Sequence, residues 1–287
     1  MTASENLIPG QLCAAKVRKY IEFDGRDAVS GQVSSQARLQ SEGVAALWHL
    51  IATRGYGYLG DEVGMGKTRQ AMGVIATCFL SRQDAHVVIV CPGRTLQEQW
   101  VSEWSTFIRT CYSARDDRLV SALTGEPLRA PVLHDRLRDF AKALLLNEER
   151  IHLLRYSSFS RPIWFNKEAK TPAALLEVYK QCLREIGVAE LSDEESAILR
   201  PFAGSQFADD QRAKLTADLN EAYAKRVGQL LKSRLIDLAV IDEAQYLRHI
   251  GNRQNTNIRH VLRTHVDRWL FMSATPLHTS PDDIKSL

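Results

Sequence analysis

The chain has 287 residues, 45% apolar and 25% charged, with a net charge of +3, the proportions of an ordinary globular protein with a sizeable core. No apolar run is long enough to span a bilayer, Met1–Gly10 lacks the pattern of a secretory signal, and the mild basic excess does not by itself argue for nucleic acid. The five scattered cysteines, Cys13, Cys78, Cys91, Cys111 and Cys182, form no close pair with metal spacing, so reduced cytosolic thiols are expected.

Residues 1–36 carry few apolar residues beyond Val17, Tyr20, Ile21 and Phe23, and Gly25, Ser30, Gly31, Ser34 and Ser35 break any regular pattern. This reads as a loosely ordered lead-in. Leu39, Gly43, Val44, Leu47, Trp48, Leu50 and Ile51 then recur at helical spacing. An apolar segment, Tyr56–Leu59, runs into Gly60-Asp61-Glu62-Val63-Gly64-Met65-Gly66-Lys67-Thr68, and a helix-prone segment, Arg69–Leu80, runs out of it. Strand, glycine-rich turn and helix is the context that makes Gly-Lys-Thr a phosphate site. Gly64 and Gly66, lacking a Cβ, let the backbone fold close around an anion. The turn's N–H groups and the helix N-terminus face the phosphates. Lys67 brings positive charge to the outer phosphates, and the Thr68 hydroxyl can ligate Mg²⁺.

Ala85–Cys91 is a nearly continuous apolar run with β-branched residues, the pattern of a strand buried on both faces of a parallel sheet. Pro92-Gly93-Arg94 ends it. Thr95 is a candidate N-cap with Glu98 as capping-box partner, opening a helix with Leu96, Trp100, Trp104, Phe107 and Ile108 on one face. That tryptophan stripe reads as core. A short strand is expected at Leu119–Leu123, a helix over Pro131–Leu146 and another buried strand over Ile151–Tyr156. Between Arg161 and Arg234 three helices are expected, Pro172–Ile186, Ser192–Leu199 and Asp209–Leu235. With 12 basic and 11 acidic residues, this segment reads as a helical insert packed on the domain's edge rather than an electrostatic clamp for DNA. The sharper reading is a docking surface for a partner protein or DNA.

Ile236–Ile241 is again apolar and delivers Asp242-Glu243-Ala244-Gln245. A carboxylate at the end of a buried parallel strand, beside a phosphate loop, is where Mg²⁺ needs a second protein partner. Asp242 fits that role, and Glu243 fits the base that orients or deprotonates an attacking water. A short helix, Ile258–Thr264, and a strand, Trp269–Met272, lead to Ser273-Ala274-Thr275-Pro276-Leu277. At least five strands alternate with helices, which predicts a doubly wound parallel α/β sheet with its ligand beyond the carboxyl edge.

The variant Asp61-Glu62-x-Gly64-x-Gly66-Lys67-Thr68, with Asp61 where the general motif has glycine, resembles the phosphate loop of superfamily-two helicases, in particular the Swi/Snf-like ATPases that translocate on double-stranded DNA. Pro92-x-Arg94-x-Leu96 before Gln99-Trp100, Asp242-Glu243-x-Gln245 and Ser273-x-Thr275-Pro276 follow in the family's order. The resemblance covers about residues 37–287 apart from the 161–234 insertion, and implies one RecA-like P-loop lobe. It implies ATP and Mg²⁺ as ligands, with Gln40, Asp61, Glu62, Gly64, Met65, Gly66, Lys67, Thr68 and Arg69 around the nucleotide. Gln40 would read adenine, and an amide offers the donor and acceptor that task needs. Lys67, Asp242 and Glu243 would be catalytic, with Thr68 and Asp242 at the metal. Gln245, where many relatives have His, Ser273 and Thr275 would couple the nucleotide to the next motif. Arg94, and Tyr156 with Ser157 at the end of their strand, would lie along a DNA backbone, and Phe23 would be buried or stack on the base. Such enzymes need a second lobe carrying arginines that reach the γ-phosphate, so this chain alone should bind nucleotide and hydrolyse it poorly. Alternatives are a duplex-unwinding or restriction-type motor and a non-catalytic nucleotide-gated module. A cytoplasmic, nucleoid-associated setting in a bacterium is the expectation.

Overall fold

The structure is a computed structural model that describes residues 12–24, 33–60, 66–82, 84–112, 131–147, 149–202, 207, 209–247 and 252–274. Among the described residues six strands form one all-parallel sheet: β1 (Tyr56–Leu59), β2 (Val87–Cys91), β3 (Val132–His134), β4 (Ile151–Arg155), β5 (Leu238–Ile241) and β6 (Trp269–Met272). Their order is β1-β6-β5-β2-β4-β3. Parallel strands need crossovers, and helices supply them on both faces. The helices are α1 (Ala14–Val17), α2 (Ser35–Arg54), α3 (Lys67–Ser81), α4 (Arg94–Thr110), α5 (Leu137–Leu146), α6 (Tyr156–Ser160), α7 (Pro172–Glu185), α8 (Asp193–Leu199), α9 (Asp209–Leu230) and α10 (Arg253–Leu262). The expected doubly wound α/β sheet is the observed architecture.

Alternation along the strands divides the apolar side chains between two cores. Val87, Ile89, Leu153, Val240 and Leu270 face α2, α3 and α4, whereas Val88, Val90, Leu154, Ile241 and Phe271 face α5, α7, α9 and α10. All five residues of β2 are buried, as its unbroken apolar run requires. Helix α3 is buried at every position from Gln70 to Leu80, so it lies inside the first layer rather than on its surface.

The insertion is helical, as expected, but it does not sit at an edge. Leu215, Leu219, Tyr223 and Val227 of α9 and Leu175, Tyr179 and Leu183 of α7 are fully or almost fully buried and belong to the second core. Helix α9 crosses α10 closely at Gly228, where a Cβ would meet the His260 carbonyl oxygen at 2.0 Å. Buried Glu195 ties the three insert helices together. It accepts from Tyr179 Oη (2.7 Å), from the Ser192 N–H in a capping box (2.6 Å) and from Arg226 (3.2 Å).

Three local expectations are corrected. Pro131–Leu146 is not one helix: Val132–His134 pairs with β4 as the outer strand, and α5 begins only at Leu137. Gly93, not Thr95, caps α4, and Glu98 binds Arg94 instead of closing a capping box. The described part of the lead-in is docked, not loose. Val17, Ile21 and Phe23 are buried, and Ile21 forms a bridge with Tyr112. The strand expected at Leu119–Leu123 lies outside the described residues. Among those described, no helix is long and apolar enough to cross a membrane.

Candidate nucleotide site

The carboxyl ends of β5 and β6 and the N-terminus of α3 enclose a cavity of about 600 Å³, lined by Gly66, Lys67, Thr68, Asp242 and Glu243. Lys67 and Asp242 are 175 residues apart in sequence, and the strands that lead to them, β1 and β5, are not adjacent in the sheet. Strand β6 lies between β1 and β5, and its end adds Met272 and Ala274 to the wall. Helices α2 and α4 close the cavity with Gln36, Gln40, Gln99, Glu103 and Phe107.

Gly66 has φ +79°, and a Cβ there would lie 2.3 Å from Gln40 Nε2. The close approach and the left-handed backbone both demand glycine. Gly66 offers α3 no side-chain cap, so the first-turn amides are left for an anion. An uncapped helix start, a lysine and a glycine cradle that a Cβ would fill suit a polyphosphate.

Asp242 is held by three groups. Trp100 Nε1 donates to its Oδ2 at 2.9 Å, its Oδ1 accepts the Glu243 N–H at 2.9 Å, and Tyr156 Oη donates to its carbonyl at 2.9 Å. Burial pushes its carboxyl pKa up; the Trp100 hydrogen bond opposes this, and the Lys67 ammonium adds a smaller opposing pull. A cation placed beside it would restore the ionised form, which is the donor chemistry a hard divalent ion selects. Burial also pushes the Tyr156 hydroxyl well up, so it remains a donor.

Glu243 adopts φ +52°, left-handed backbone that is uncommon for a residue other than glycine. Its carboxylate Oε2 accepts from Gln245 Nε2 at 2.6 Å, and Gln245 Oε1 accepts from Ser273 Oγ at 2.7 Å. A continuous chain of hydrogen bonds thus runs from the end of β6 to the carboxylate. Of the residues expected to couple, Gln245 and Ser273 are brought together.

Gln40 is 3% exposed and lines the cavity against Gly66; Arg69 is exposed at its rim. Asp61, Glu62, Gly64, Met65 and Thr275 lie outside the described residues. Arg94 is exposed at the start of α4 and pairs with Glu98 at 3.0 Å, and Ser157 is exposed on α6. Tyr156 departs from its expected place on a DNA backbone: it is 3% exposed and turned inward to Asp242. Phe23 is buried beside Phe107, with ring centroids 6.3 Å apart, not stacked in the open cavity. Sequence reasoning assigned Trp100 to the core. It is buried, yet it also carries the donor for Asp242, a partner 142 residues away that spacing could not reveal.

The family model described as SNF2-related domain matches residues 39–287. Human DNA excision repair protein ERCC-6 is 35% identical over 98 residues, which is 30% of this chain and 6% of that protein. Protein CHROMATIN REMODELING 24 of Arabidopsis thaliana is 32% identical over 114 residues, 37% of this chain and 10% of that protein. The Sulfolobus solfataricus SWI2/SNF2 ATPase core in complex with dsDNA has TM-score 0.45 and 16% identity, covering 86% of this chain and 34% of that one. The matched stretches thus span a tenth or less of these two curated relatives. With the family model matching residues 39–287, the chain belongs to the SNF2-related family.

Proposed function

We propose that this domain is the nucleotide-binding lobe of an ATP-driven translocase on double-stranded DNA. The observation that carries the reading is the single cavity shared by Lys67, Thr68, Asp242 and Glu243. Mg²⁺, when bound, neutralises charge on the triphosphate, and Thr68 and Asp242 are the residues to hold it. Lys67 binds the outer phosphates. Glu243 acts on the attacking water: Gln245 holds its Oε2, which leaves Oε1 to accept the water's proton. Arg94 and Ser157, exposed at the starts of α4 and α6, are the proposed duplex contacts. The curated relatives named for chromatin remodelling and DNA excision repair favour DNA as the track. A second lobe supplying an arginine is part of the proposal, and such a residue is worth roughly 10³–10⁵ in turnover.

Nucleotide binding and DNA-stimulated hydrolysis, measured on this chain and on the full-length protein, test the reading. Lys67→Ala should abolish binding. Glu243→Gln should keep it and reduce full-length turnover by about 10²–10⁴. Turnover that survives Glu243→Gln, or vigorous hydrolysis by residues 1–287 alone, would refute it. Strand displacement without duplex translocation would instead identify an unwinding motor.

A further inference from the structure

A second cleft, of about 520 Å³, lies between the insertion and α10. It begins where α6, which follows directly from the carboxyl end of β4, gives way to Arg161. Its rim carries Arg161, Lys167 and Arg253, all exposed, and none makes an ion pair among the described residues. The acidic residue in its lining, Glu221, already faces Lys225 and His260, each at 3.4 Å. Trp164 also lines the cleft and is 68% exposed, an unusual position for the largest apolar side chain.

The insertion is nearly balanced in charge, so this excess is local. Three free cations around an open indole form the combination that holds unpaired nucleotides: the cations follow the phosphates, and the indole offers a face on which a base stacks. A duplex satisfies the cations but keeps its bases stacked on one another and leaves Trp164 bare. An acidic peptide would satisfy the cations equally well and gain less from a flat aromatic face. We infer that this cleft binds a short stretch of single-stranded nucleic acid, stacking a base on Trp164 and holding its phosphates with Arg161, Lys167 and Arg253. The site is separate from the nucleotide cavity and does not depend on ATP.

The test is fluorescence anisotropy of labelled oligo(dT) with residues 1–287, without nucleotide, against wild type, Trp164→Ala, Trp164→Phe and Arg253→Gln. Because Trp164 and Arg253 are exposed, the variants should keep the wild-type melting temperature, checked alongside. Trp164→Ala should weaken oligo(dT) binding roughly 5- to 150-fold, the effect of losing one base stack, and Trp164→Phe should restore most of it. Arg253→Gln should reduce the salt slope by about one. The inference is overturned if wild type does not bind oligo(dT), if Trp164→Ala binds as wild type does, or if a duplex or poly-glutamate competes as strongly as unlabelled oligo(dT). Loss of ATP binding in Lys67→Ala with oligo(dT) affinity unchanged keeps this site distinct from the first.

Discussion

Trp100→Phe is the sharpest perturbation the site offers. The indole Nε1 donates to Asp242 Oδ2 at 2.9 Å, so phenylalanine deletes one donor to that carboxylate and, being smaller, also leaves a cavity in the core. A hydrogen bond to a charged acceptor contributes about 1.5–3 kcal/mol. Removing a partner that orients a metal-binding carboxylate typically costs about 10- to 100-fold in metal affinity. The Mg²⁺ concentration needed for half-maximal binding of a fluorescent ATP analogue should therefore rise by about that factor, while metal-free nucleotide binding changes little. Trp104 supplies the control. It lies four residues along the same buried face, 0% exposed, and its Nε1 has no hydrogen-bond partner. Trp104→Phe should leave the Mg²⁺ requirement untouched while opening a comparable core cavity, so it matches the packing loss of Trp100→Phe without the lost hydrogen bond. If both variants lower the melting temperature alike and neither shifts the Mg²⁺ titration, Trp100 is packing alone and the positioning argument fails.

Ser273→Ala should lower turnover of the full-length protein about tenfold with nucleotide affinity unchanged, because Gln245 loses the donor that fixes its amide against Glu243; equal turnover would remove Ser273 from the coupling path. Glu195→Ala should destabilise the chain by about 3 kcal/mol in urea unfolding, since it leaves Arg226 and the Tyr179 hydroxyl without their shared acceptor. Acid should destabilise the fold through its stacked histidines. His134, His152 and His86 lie ring to ring across neighbouring strands, and burial lowers the pKa of all three, His134 to about 4. The unfolded chain takes up these protons near pH 6.5 and the folded chain does not. The histidines' contribution is thus fully present above that pH and is lost between about 6.5 and 4, by roughly 3 kcal/mol for His134 alone. A urea midpoint independent of pH over that window would contradict it.

That Lys67, Thr68, Asp242 and Glu243 line one cavity was legible because a site for phosphate, as proposed here, restricts residue choice. A glycine cradle, a lysine and a strand-end carboxylate leave few substitutes, and a parallel strand buried on both faces announces itself by an unbroken apolar run such as Val87–Cys91. Strand β3 was not legible. Three residues are too few for a period, and its neighbour α5 has a strong helical pattern that absorbs them. The docking of Val17, Ile21 and Phe23 was hidden for a related reason: a segment with few apolar residues looks loose unless its partner surface is known. The Trp100 and Tyr156 hydrogen bonds to Asp242 belong to the same class, being decided by tertiary contacts 142 and 86 residues distant.

The place of the insertion in the second core limits what excision experiments can mean. Cutting out Pro172–Lys232 would strip α7 and α9 from a sheet face built of Val88, Val90, Leu154 and Ile241, and would expose those strands to water. Any binding lost by such a shortened chain would report collapse before it reported a missing contact. The segment's role in recognition is accessible only by changing its outward side chains one at a time, with the scaffold beneath left whole.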